Sequence, residues 1–273
     1  MATTALAKPP DRGVPIRGPS AVAGDFRRAL TLTVALAKND FKLRFFGSVL
    51  GYLWQLMRPL LLFGVLFIMF TQIVSLSTTP NFGVALLLGI VLYTFFAEAT
   101  GNAVGCVMVR ENLVRKIHFP RLVIPMSVVM VACFNLALNL VVVVIFALVS
   151  GVTPTLSWLG LLPLLALLIV FAAGLAMLLS ALYVRYRDVE PIWDVVLQVA
   201  FYASLILIPF EAVTAKSETL ARLLVANPLA MVVQESRHLM IDPSYFSAGD
   251  AIGGASLLIV PVAIVIGTFA LGL

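Results

Sequence analysis

The chain has 273 residues, 62% of them hydrophobic and only 11% charged, and its mean hydropathy of +1.09 excludes a water-soluble globule. A net charge of +5 would suit nucleic acid, but the basic residues flank apolar runs, where the anionic cytosolic leaflet is the simpler partner, so nucleic-acid binding is set aside. A hydrocarbon core takes about 20 apolar residues per helix, which leaves room for several spans and for no large soluble domain.

Residues 1–23 mix Pro, Gly and cations with no apolar run behind them, which predicts a disordered cytosolic tail and not a cleaved signal peptide. Over residues 24–46, Phe26, Leu30, Val34, Ala37, Phe41 and Phe45 share one side of a helix. Arg27, Arg28, Lys38 and Lys42 take the adjoining side, the pattern of an amphipathic helix lying in the membrane surface. The same pattern also serves a helix packed on protein. Arg44 falls near the apolar centre, so a bend is expected before it.

Six spans are predicted, over residues 53–74, 82–107, 122–149, 156–182, 193–210 and 251–273. Arg58 and Pro59 sit near the start of the first, and Glu98 lies deep in the second. No charged residue occurs between Arg121 and Arg185, and the turn signal SGVTPT at 150–155 divides that stretch in two. Between the last two spans, residues 217–240 read as two helices too short to cross, with Ser217 capping the first and Asn227 with Pro228 starting the second. They are expected to be re-entrant on the outer side. The fold class is therefore an all-α polytopic membrane protein.

Orientation follows from the cations. Lys8, Arg12, Arg17, Arg27, Arg28, Lys38, Lys42, Arg44, Arg110, Arg115, Lys116, Arg121, Arg185 and Arg187 fall on the side of the N-terminus. Lys216, Arg222 and Arg237 fall on the other, and fourteen against three predicts cytosolic N- and C-termini.

Chemistry-bearing groups are sparse. Cys106 and Cys133 lie in or beside apolar runs and read as small buried hydrophobes, not as a disulfide or metal site. His118 and His238 fall on opposite sides of the membrane, and HLMID at 238–242 is a weak acid–base pair. No GxxxxGK[ST] loop is present, so ATP is not bound by this chain in that manner. Glu98 is a functional candidate because a carboxylate in lipid is costly; it serves either as a substrate contact or as a structural carboxylate bonded to another helix. Asn102, Asn135 and Asn139 read as amides bridging packed helices. In the loop 110–121, RENLVRKIHFPR, a short helix presents Leu113, Val114 and Ile117 on one side, a knob suited to a groove on another protein. The second cytosolic loop, YVRYRDVEPIWD, carries Arg185, Arg187 and Asp188 and serves equally as a membrane-edge anchor.

Four stretches, NDFKLRFFGSVLGYLWQLMRPLL, FFAEATGNAV, ENLVRKIHFPRLVIPMSVV and SALYVRYRDVEPI, followed by ANPLAMVVQESRHLM, together resemble the permease subunit of ABC-2 type exporters of lipid-linked polysaccharides, the Wzm-like family. The resemblance implies six transmembrane helices, a homodimer with a channel at its interface, and two copies of a separate nucleotide-binding subunit that binds ATP and Mg. This chain would then be a permease without cofactor or enzymatic activity, placed in a bacterial cytoplasmic membrane and serving cell-envelope glycan assembly. It implies a coupling helix carrying Glu111, Leu113, Arg115, Lys116, Ile117 and Phe119, and an outer gate at 217–240. The carrier, a polyprenyl pyrophosphate, has an anionic head that Lys42, Arg44 and Arg58 are placed to attract; snorkelling to phospholipid heads is the plainer role. Trp54, Tyr93, Phe95 and Phe96 are candidates for an aromatic slide past which sugars move, or for lipid-facing rings. The rival readings are an exporter of a drug or small lipid with the same architecture, and an intramembrane glycosyl- or acyltransferase, which would need an acid and a base clustered on one side.

Overall fold

A computed structural model describes residues 26–45, 51, 53–73, 81–110, 122–207, 213, 223–224, 226–242, 245 and 259–272. The expected tail, residues 111–121 of the expected coupling loop and most of the expected first short helix lie outside the described residues. Those described are mostly helical, joined by turns and short irregular links such as residues 152–155. The helices are α1 (Phe26–Phe45), α2 (Leu53–Ile68, continued by a π turn Met69–Ile73), α3 (Phe82–Val104) and α4 (Cys106–Val109). After them come α5 (Val123–Val149), a 3-10 turn (Leu156–Gly160), α6 (Leu161–Arg185), α7 (Val189–Ala203), α8 (Pro228–Met240) and α9 (Ile259–Gly272).

Four stretches, Leu53–Gln72, Phe82–Val104, Val123–Val149 and Leu156–Arg185, are long and apolar enough to cross a membrane. They match the first four expected spans, and α9 is a shorter apolar helix within the sixth. The fifth differs: α7 begins at Val189, ahead of the expected 193, and stops at Ala203, short of 210. Its chain turns at Leu205, whose φ of +55° is the left-handed conformation that ends helices and that a leucine adopts only under tertiary constraint.

The centre of the bundle is α3, largely apolar and correspondingly buried, with α2, α5, α6, α7 and α8 packed around it. In its apolar window 67% of residues are buried, against 17% for α2. On α2 only Gln55 and Pro59 are buried, while Leu61, Val65 and Ile68 lie open; α7 has no buried residue and leaves Ile192, Val195, Val199 and Tyr202 open. These two helices hang on the bundle by one side each. By contrast, α9 seats tightly on α6: a Cβ on Gly174 would lie 2.7 Å from the backbone N of Phe269, and one on Gly272 2.6 Å from the carbonyl of Gly174. Absent side chains let the backbones touch, as small residues do where helices cross in lipid.

The amphipathic helix runs through Arg44 to Phe45 without the expected interruption. It packs on α5 through fully buried Ala37 and an edge-to-face contact of Phe41 with Phe134 at 5.6 Å. The helix-on-protein reading therefore accounts for this side of α1. At α8, Asn227 caps the first turn by accepting from the Leu229 N–H at 3.1 Å, and Pro228 stands at the first helical position. Thirteen residues reach about 20 Å, short of a hydrocarbon core of about 30 Å.

Candidate functional site

Where α1, α3, α4 and α5 meet, a cleft of about 480 Å³ opens, reached also by Glu190 at the start of α7. Asp40, Leu43 and Arg44 of α1 line one side, Glu98, Gly101 and Asn102 of α3 another, and Val128, Val131 and Ala132 of α5 a third. Glu98 and Asn102 stand one helical turn apart and so share a face. Asn102 is exposed in the cleft and is not the helix-bridging amide that was expected.

Glu98 is held from two sides. Gln55 of α2 donates to one carboxylate oxygen at 2.5 Å, and Asn135 of α5 donates to the other at 2.8 Å. Asn135 is thus a bridging amide as expected, whereas Asn139 donates to the backbone carbonyl of Asn135 at 2.9 Å, a bond within α5 that bridges no second helix. Asn135 is 2% exposed, and its own Oδ1 has no hydrogen-bond partner among the described residues. Gln55, which hydropathy alone does not single out, is the polar tether of α2.

Arg110 closes α4 and forms an ion pair with Asp40 of α1, while its Nη1 donates to Ser127 of α5 at 3.0 Å. Three helices are thus tied at this residue.

On the opposite side of α3, Tyr93 donates to the Leu197 carbonyl at 2.8 Å, and Trp193 donates from Nε1 to Thr100 at 3.1 Å. Phe96 stacks on Phe171 with centroids 5.4 Å apart and tilts against Trp193. This corrects the expected slide: Phe95 is 2% exposed and Phe96 is also buried, packed inside the bundle away from the cleft-facing Glu98 and Asn102, and Tyr93 is spent fastening α7. Trp54, 56% exposed on α2, remains available. The three entrance cations are not gathered: Arg44 lines the cleft, while Lys42 and Arg58 are exposed elsewhere on α1 and α2. Arg185 lies over the Tyr186 ring at 5.5 Å, and Arg187 and Asp188 are exposed. Nδ1 of His238 donates to the Tyr245 carbonyl at 2.6 Å, which fixes the orientation of the ring. Among the described residues no group of three His, Cys, Asp or Glu is arranged to hold a metal, and both cysteines are free thiols.

A second polar site went unnoticed in the sequence beyond its charge. Arg237 of α8 is 4% exposed and donates to the carbonyls of Leu205 and Ile206 at 2.8 Å and of Ala85 at 3.3 Å. Gly89 makes room for it, since a Cβ there would lie 3.2 Å from its Nη2.

A family model described as "ABC-2 type transporter" matches residues 31–241. The chain is 31% identical over 212 residues to an O-antigen export system permease protein RfbA of Klebsiella pneumoniae, covering 77% of this chain and 80% of that protein. A protein of the same name from Myxococcus xanthus is 29% identical over 204 residues, 74% of this chain and 77% of that one. Polysialic acid transport protein KpsM of Escherichia coli is 24% identical over 225 residues, covering 79% and 83%.

Proposed function

Because the chain belongs to the ABC-2 type transporter family, as a multi-pass membrane permease and not an enzyme, we propose that it is the membrane half of a polysaccharide exporter. It moves a glycan on a polyprenyl-pyrophosphate carrier from the cytosol across the bacterial cytoplasmic membrane. The observation that carries this reading is the 31% identity to an O-antigen export permease across 80% of that protein's length. Two copies of the chain form the conduit and two nucleotide-binding subunits supply ATP hydrolysis. The open faces of α2 and α7 are the surfaces such a conduit needs, and Trp54 stands on one of them.

In this reading the coupling segment, with Glu111, Leu113, Arg115, Lys116, Ile117 and Phe119, takes the push of the ATPase. Arg110 passes it to α1 and α5 through Asp40 and Ser127. Lys42, Arg44 and Arg58 draw the pyrophosphate head to the cytosolic surface, Arg44 from within the cleft.

The test is to purify the permease with its ATPase and identify by mass spectrometry the lipid-linked glycan that raises ATP turnover. Stimulation by a drug or a short lipid, and by no glycolipid, refutes the polysaccharide assignment. Joint charge reversal of Arg115 and Lys116 is expected to leave ATP turnover running while export stops; normal export in an assembled complex removes them from coupling.

A further inference from the structure

We propose that the cleft is a subsite for the first sugar of the exported glycan, with the Glu98 carboxylate accepting that sugar's hydroxyls and Arg44 taking the adjoining phosphate. The proposal rests on the exporter reading and adds to it the recognition of a glycosyl phosphate by this chain.

Asp40 and Arg110 neutralise each other. Arg44, Glu98 and Glu190 are the charged groups of the lining that no ion pair among the described residues neutralises; Glu190 is exposed at the start of α7 and accepts from the Tyr183 hydroxyl at 2.9 Å, whereas Glu98 is half-buried within a span. Both donors to Glu98 are neutral amides, so they fix the carboxylate without compensating its charge. A glutamine at 98 could still brace both Gln55 and Asn135 if one of those amides turned over to present its oxygen, and it would spare an acid at membrane depth. What the acid adds is acceptor capacity. A carboxylate offers about four lone-pair positions, the two amides take one on each oxygen, and the half-buried side chain borders the cleft.

The walls suit a sugar next to a phosphate. Asn102, one turn below Glu98, offers a donor and an acceptor, and opposite it Val128, Val131 and Ala132 present an apolar surface for a ring face. A volume of 480 Å³ lies within the range of about 300–1,000 Å³ typical of small-ligand sites. It admits a head group and not a polymer, so the cleft inspects the carrier end while the glycan passes elsewhere.

The experiment uses the full permease–ATPase complex in lipid nanodiscs. ATP turnover is titrated with two synthetic probes, polyprenyl pyrophosphate and polyprenyl-pyrophosphoryl N-acetylglucosamine. Wild type is expected to half-saturate at a lower concentration of the glycosylated probe. Glu98→Gln is expected to raise that concentration about tenfold, the weight of a hydrogen bond to a charged group, and to leave the response to the bare carrier in place. Arg44→Ala is expected to weaken both probes. Gln55→Met, which loosens the brace and keeps the acid, is expected to retain the preference for the sugar. Should Glu98→Gln fail to assemble, Glu98→Asp, which withdraws the carboxylate by one methylene, is expected to show the same selective loss. Glu98 variants that shift both probes equally, or that match Gln55→Met, overturn the subsite alone. If neither probe stimulates the wild-type complex, the exporter reading falls and the subsite with it.

Discussion

Replacing Arg237 by methionine tests whether a buried guanidinium holds α8 to α3 and to the chain that follows α7. The side chain is 4% exposed and donates to three backbone carbonyls, two at 2.8 Å and one at 3.3 Å. Two of these, Leu205 and Ile206, lie just past the end of α7, where helix termini leave carbonyls without intrahelical partners. Orphaning a buried carbonyl costs about 1–3 kcal/mol, so the two short bonds amount to about 2–6 kcal/mol. Methionine recovers part of this, because it no longer desolvates a cation, and a net loss of about 3 kcal/mol follows. In a protein of this size about 1 kcal/mol moves the melting point by about 2–4 °C, so Arg237→Met is expected to melt about 6–12 °C below wild type in the same nanodiscs. Arg237→Lys keeps the charge but not the planar fork that spans adjacent carbonyls, and is expected to fall between the two. A methionine variant within about 2 °C of wild type, or a lysine variant as unstable as methionine, would refute the claim that these carbonyls need the guanidinium.

Gly89→Val should cost about 1–3 kcal/mol by overpacking against Arg237 and Ile206, and less in an Arg237→Met background; additive losses in a thermal-shift cycle would separate the two sites. Gly174→Leu meets the backbone of Phe269 and not a flexible side chain, so α9 is expected to leave α6, read as lost crosslinking between cysteines placed on the two helices. Asp40→Asn and Arg110→Gln should each lower export per ATP hydrolysed, and the charge swap Asp40→Arg with Arg110→Asp should restore part of it. The Arg110 and Asp40 side chains are 20% and 25% exposed, so about 1–2 kcal/mol is at stake, between a surface pair and a buried one. Failure of the swap in a complex that assembles normally would exclude the ion pair from transmission.

Hydropathy and local cues located the first four spans and the Asn227–Pro228 helix start, because chain length in lipid and capping are local properties. The arrest of α7 at Ala203 was invisible for a physical reason. Residues 201–210 read FYASLILIPF, apolar and without a breaker until Pro209, and Leu205 is held left-handed where a distant arginine takes its carbonyl. The aromatic slide failed for another reason. An amphipathic helix shows its faces in its sequence, but away from Glu98 and Asn102 α3 is almost uniformly apolar, so periodicity could not tell buried Phe95 from an exposed ring. Glu98 stood out as an acid in a span, yet its donors lie 43 and 37 positions away along the chain, and Asp40 lies 70 from Arg110. Hydropathy finds such groups singly and cannot pair them.

The same polar groups indicate which parts of the bundle can move. Repacking α3 against α5 and α6 would expose a close-packed interior, where each lost large side chain costs several kcal/mol, so that trio behaves as a fixed frame. Polar contacts fasten α2 and α7 to it: Gln55 to Glu98 on one side, Tyr93 to Leu197 and Trp193 to Thr100 on the other. Releasing such a contact costs about 1–3 kcal/mol, and the open faces of both helices have no packing within the chain to lose. Under the proposed coupling, motion delivered through Arg110 would meet least resistance along α2 and α7. Because Gln55 is bonded to the carboxylate at the cleft, any outward shift of α2 also loosens Glu98. A conduit built this way would link the opening of its wall to the state of the group that holds the substrate's head.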